Sequence, residues 1–150
     1  MPTPILDDPQ GFDNQPAPKI SSRYWLAAGM GMAILLLAYN LWDKYYPQYW
    51  FAFGIGRLSI DSYEVVYVAV FTFGMIWLTE ALLRIKPVPT RFEVLKNAFF
   101  SSVFAICAFL SIEIFATFEF EAIQVLSVFI NTAYCLVVAL VWYSLRRKKV

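Results

Sequence analysis

The sequence predicts an all-α integral membrane protein, a four-transmembrane-helix bundle with short loops and both termini cytoplasmic. Three observations carry that prediction. Hydrophobic residues fill 60% of the 150 positions and charged residues 15%, against roughly 45–50% and about 25% in soluble globular domains. The apolar residues gather into four runs, each near the roughly 20 residues that cross a bilayer as helix. Lysine and arginine concentrate in alternate connections, the bias that orients membrane spans.

Residues 1–22 contain five of the eight prolines together with Asp7, Asp8 and Asp13. Such a segment cannot bury enough apolar surface to fold alone, so a disordered or extended tail is expected, serving as a solvated leader or a contact arm. No small-residue cleavage site follows the first apolar run, and the first helix is therefore expected to stay as an anchor. The transmembrane domain is placed at 23–145.

The first span is predicted over 24–42. Beyond it comes an aromatic stretch too short to cross a bilayer, an interfacial loop placed at 43–60. Trp42, Tyr45, Tyr46, Tyr49, Trp50, Phe51 and Phe53 lie in or beside it. Tryptophan and tyrosine favour the membrane–water boundary, where the ring body sits among acyl chains and the polar tip meets water. The loop is expected to lie flat on the outer leaflet or to form a docking surface for another subunit or a lipid.

The second span is predicted over 64–84. Asp61-Ser-Tyr-Glu64 has the pattern of a capping box at its start. Pro87 and Pro89 stop it, because proline lacks an amide hydrogen and excludes helix from the residue before it. A second capping box, Thr90-Arg-Phe-Glu93, starts the third helix near Arg91, outside the membrane; with its span at 97–118, this is expected to be the longest helix, about 28 residues. The fourth span is predicted over 122–145, followed by a basic tail, 146–150.

Orientation follows from the basic residues. Arg84, Lys86, Arg91 and Lys96 occupy the second connection, Arg146, Arg147, Lys148 and Lys149 the C-terminus, and Lys19 and Arg23 the N-terminal flank. The opposite side has Lys44 and Arg57, offset by Asp43, Asp61, Glu119 and Glu121. Both termini are therefore expected on the cytoplasmic side.

In lipid, helices associate through small residues that let backbones approach and through a few polar groups. Helical spacing puts Ala27, Gly31 and Ala38 on one face of the first helix, with Gly29 and Ala33 as a second pair. Ala98, Ser101, Ala105, Ala108 and Ala116 form a stripe on the third. Gln124, Ser127, Asn131 and Cys135 form one on the fourth. These faces are expected to meet other helices, inside the bundle or in a partner, with Asn131 bonding between helices.

Ionisable groups within spans are costly and deserve scrutiny as functional candidates. Glu80 and Arg84, four residues apart, are expected to form an ion pair. Glu113 has no basic residue within a turn, which makes it the candidate for a proton- or ligand-linked role. The sequence has no histidine, which removes the commonest ligand for haem, copper and zinc and the usual proton shuttle. Cys107 and Cys135 lie in apolar runs and are expected to be buried, inert thiols. Glu119 and Glu121 could join Asp61 and Glu113 in an acidic outer patch, but no spacing among them is diagnostic of a metal site, and none is predicted.

No phosphate loop, H-E-x-x-H, C-x-x-C or G-x-S-x-G motif occurs. The pattern points to a non-catalytic accessory or structural subunit of a larger multi-subunit membrane complex that stabilises a partner through transmembrane helix packing. Its expected partners are other integral membrane subunits and membrane lipids, and nucleic acid is not among them. No cofactor is expected, although a lipid could bind the aromatic surface. A bacterial inner membrane is the expected location, from small size and short loops. The alternative is a small membrane transporter or channel, homo-oligomeric in one form, with Glu113 as its titratable group and Ser127 and Asn131 along the path. A membrane enzyme working through carboxylates alone is a third class, disfavoured because the acids divide between the two sides.

Overall fold

The computed structural model describes residues 19–45, 53–55, 58–60, 62–117 and 122–148. Four helices dominate: α1 (Arg23–Tyr45), α2 (Ser62–Leu83), α3 (Arg91–Thr117) and α4 (Ala122–Arg147). Each contains a segment long and apolar enough to span a membrane: Arg23–Trp42, Val65–Leu83, Arg91–Phe115 and Gln124–Arg147. At about 1.5 Å per residue these match a hydrocarbon layer about 30 Å thick.

The helix ends follow local chemistry. Ser21 Oγ accepts a hydrogen bond from the Arg23 amide at 3.4 Å, which caps α1. That helix runs three residues past Trp42, so the first part of the expected loop is helical. Helix α2 starts at Ser62, and the expected cap Asp61 lies outside the described residues. At α3, Thr90 Oγ1 accepts from the Glu93 amide at 3.3 Å, one half of the expected capping box. The Glu93 carboxylate instead meets Lys96 Nζ at 3.0 Å. At 27 residues α3 is the longest helix. Helix α4 continues through Arg146 and Arg147, because Arg146 is tied to α2 and Arg147 donates to Tyr143 Oη one turn back.

One feature departs from the all-α expectation. Within the aromatic loop, β1 (Phe53–Ile55) pairs antiparallel with β2 (Leu58–Ile60), in the register Phe53 with Ile60, Gly54 with Ser59 and Ile55 with Leu58. Two residues, Gly56 and Arg57, separate the strands in sequence, and glycine leading a two-residue connection is a hairpin signal. The β-branched Ile55 and Ile60 suit strands. The remaining expected loop residues, Tyr46, Tyr49, Trp50 and Phe51 among them, lie outside the described set.

Helix α1 packs on α2 and α3, α4 packs on the same two from the other side, and α2 and α3 meet more sparingly across the diagonal. Cross-helix contacts fix the directions. Asn40 Nδ2 donates to Tyr67 Oη at 3.1 Å, and Gly74 lies against Met32, so α1 and α2 are antiparallel. Thr72 and Tyr134 share a hydroxyl hydrogen bond at 2.6 Å, and Trp142 bonds Glu80, so α2 and α4 are parallel. One end of the bundle therefore collects Arg23, Arg84, Arg91, Arg146 and Arg147.

The core contains Met32, Leu36, Phe71, Met75, Leu78 and Leu82 of α1 and α2. Helix α3 contributes Val94, Ile106 and Phe109 together with the small, fully buried Ala98, Ser101, Ser102 and Ala105. Since lipid tails are as apolar as leucine, close packing rather than escape from water holds such helices together.

At the basic end, Tyr143 is 1% exposed, and its hydroxyl donates to the Pro89 carbonyl at 3.1 Å. This anchors the α2–α3 connection to α4. Tyr143→Phe should keep the fold but destabilise it by about 1 kcal/mol, the net value of one buried hydrogen bond. Thermal unfolding in detergent checks this; an unchanged melting temperature would mean that the bond contributes nothing.

Candidate functional site

Two features stand out: a polar clasp at the basic end and an apolar groove between α1 and α2.

The clasp centres on Glu80, half-buried on the last turns of α2. Its Oε1 accepts from Trp142 Nε1 at 2.7 Å and from Arg146 Nε at 2.5 Å. The Arg146 guanidinium also stands over the Trp142 ring, 5.5 Å from its centroid. The salt bridge at Glu80 is with Arg146 of α4 and not with the expected Arg84, which is exposed just beyond α2 and acts on Glu80 only through its charge. The spacing of Glu80 and Arg84 allowed a pair, but α4 lies parallel beside α2 and brings an indole donor and a guanidinium to the same carboxylate. A carboxylate so engaged joins two helices. Trp142 was missed in the sequence, where only its i,i+4 relation to Arg146 hinted at a two-donor face.

The groove is almost wholly apolar, has a volume of about 280 Å³ and opens to the outside of the bundle. Ala27, Gly31 and Leu35 line it from α1, and Val70, Phe73 and Trp77 from α2. Its existence corrects one expectation about α1. Ala27, Gly31 and Ala38 are exposed, and the helix instead buries Ala28, Gly29, Met32, Ala33 and Leu36. A Cβ added at Gly31 would meet nothing within 4 Å. At Gly29 it would come within 2.8 Å of Phe104 Cδ1 and 3.0 Å of the Ser101 carbonyl oxygen. The two glycines sit two residues apart on opposite sides of α1, and spacing alone gave no way to choose between the faces.

On α3, Ser101 and Ala105 are buried and Ala108 is half-buried. Asn131 departs from expectation: its amide nitrogen donates to the Ser127 carbonyl at 2.8 Å and to Ser127 Oγ at 3.0 Å, both within α4. The inter-helix bonds come instead from Asn40 with Tyr67, Thr72 with Tyr134, and Glu80 with Trp142 and Arg146. Cys135 is buried, but Cys107 is exposed on the outer face of α3, contrary to the expected burial of both thiols. Glu113 is half-buried four residues before the end of α3. Trp42 is exposed at the far end of α1 from the clasp. Tyr45 ends α1 and Phe53 begins β1. Among the described residues, no group of three or more histidine, cysteine, aspartate or glutamate side chains is gathered to hold a metal ion.

No protein-family model, curated protein or solved structure matches the chain.

Proposed function

We propose that this chain is a non-catalytic accessory or structural subunit of a larger membrane complex, stabilising a partner by transmembrane helix packing. The observation that carries the proposal is the outward placement of the small Ala38 on α1, beyond the end of the groove that Ala27 and Gly31 line. Small residues permit close backbone approach in lipid, and here the chain's own bundle does not use this one. Ala38 continues outward into Leu41 and Trp42, both exposed, and then into the aromatic stretch. The partner in this proposal is another integral membrane subunit, whose helix lies along the outer half of α1.

The distribution of basic residues supports cytoplasmic termini, and small size with short connections supports a bacterial inner membrane. The transporter alternative needs a polar path. Among the described residues the buried polar side chains are Thr79, Asn97, Ser101, Ser102 and Thr132, scattered along an otherwise apolar core. That distribution favours the subunit role.

Purification from native membranes in mild detergent, with particle mass and composition determined together, tests the proposal. A stoichiometric membrane partner is expected. A homogeneous particle of this chain alone would overturn it.

A further inference from the structure

We propose that the α1–α2 groove binds one acyl chain of an anionic phospholipid from the leaflet at the basic end of the bundle, with Arg23 and Arg84 receiving its phosphate. The proposal depends on the spans lying in a bilayer and not on the subunit role.

Length is the first argument. The α1 wall runs from Ala27 to Leu35, about 12 Å at the helical rise, which is close to the depth of one leaflet of a hydrocarbon layer about 30 Å thick. The lining is almost wholly apolar, with no charged side chain, as a site for hydrocarbon requires. Met32 and Gly74 form its floor: the glycine lets the thioether lie against the α2 backbone, which keeps the channel open above them.

Charge is the second. The antiparallel register set by Asn40 with Tyr67 and Met32 with Gly74 places Arg23 at the level of Leu83 and Arg84. Arg23 lies four residues before Ala27, about 6 Å nearer the water at the helical rise. Both arginines are exposed, as are Lys19 and Lys86, and neither arginine forms a salt bridge within 4 Å among the described residues, while Arg84 still acts on Glu80 through its charge. Arg23 is held over the Tyr24 ring, 5.3 Å from its centroid. A groove one leaflet deep that ends under guanidinium groups complements a lipid with an apolar chain and a negative head. It also divides the exposed face of α1, since Ala38 lies beyond the outer end of the groove and remains available to protein.

The test uses the full chain in nanodiscs containing phosphatidylglycerol with a diazirine on one acyl chain, and in parallel the phosphatidylcholine equivalent. Adducts mapped by peptide mass spectrometry are expected to concentrate at residues 27–35 and 70–77, several-fold above those on the exposed α4 face around Phe129 and Val137. Gly31→Leu should remove them while leaving helicity intact, because its side chain enters open space; Ala27→Leu provides a second filling variant. Combined Arg23→Gln and Arg84→Gln should reduce the preference for phosphatidylglycerol by about thirtyfold. Adducts spread evenly over all exposed faces would overturn the proposal. Equal labelling by the two lipids would do so too, as would cross-links joining two copies at the groove.

Discussion

Leucine at position 29 is expected to push α1 away from α3 and to destabilise the detergent-solubilised protein by about 1–3 kcal/mol, the usual range for overpacking a filled interface. Gly29 is a point of close approach of α1 to α3. Any Cβ there meets the Phe104 ring edge at 2.8 Å and the Ser101 carbonyl oxygen at 3.0 Å. The ring could turn, but the carbonyl belongs to the α3 backbone at the fully buried Ser101. Relief therefore requires the two helices to separate, and Ala28, Ala98 and Ala105 would lose contacts with them. Gly31→Leu is the internal control. It adds the same side chain two residues away, where nothing lies within 4 Å, and it removes the same glycine backbone freedom. Thermal unfolding of the two variants should separate clearly, with Gly29→Leu alone shifted downward. Equal stabilities would mean that α1 does not pack on α3 through this face.

The second large effect is expected from Glu80→Ala. Removing the carboxylate leaves the Trp142 N–H, half-buried between α2 and α4, without its acceptor, which should cost about 1–3 kcal/mol. The Arg146 bond adds less, because that side chain is 47% exposed and solvent-accessible ion pairs are worth about 0–1 kcal/mol. Glu80→Gln, which retains an oxygen acceptor, should lose only part of the effect. A double-mutant cycle of Glu80→Ala with Trp142→Phe should be non-additive, since both changes break one contact. Arg84→Ala is the discriminating comparison. Near-wild-type stability is expected, whereas a loss equal to that of Glu80→Ala would make Arg84 the true partner.

The four spans, the stop after α2 and the early start of α3 were legible because each depends on local chemistry: a hydrophobic run, a pair of prolines, a threonine three residues before a glutamate. The rotation of each helix about its axis was not. Low contrast around α1 is the physical reason: Ala27, Ala28, Gly29, Gly31 and Ala33 put small residues on nearly every side. In lipid the polar–apolar contrast that fixes a soluble helix is also missing. The partner of Glu80 was hidden for a related reason, since its identity depends on α4 lying parallel beside α2. Asn131 shows the limit of treating a mid-span amide as a bridge between helices, because a serine one turn earlier satisfied it at home. The hairpin was obscured by the aromatic content of its neighbourhood, although Gly56-Arg57 between two short apolar segments carried the signal.

Site-directed photocross-linking from Ala38 in native membranes tests the subunit role most directly. A genetically encoded photoreactive residue there projects from the outward face of α1, beyond the proposed lipid groove. The expected result is a single discrete adduct with another membrane protein, strong from Ala38 and weak from a control position on the outward face of α4 such as Val137. Lipid adducts alone, or equal diffuse labelling from both positions, would contradict the proposal that this face exists to hold a partner.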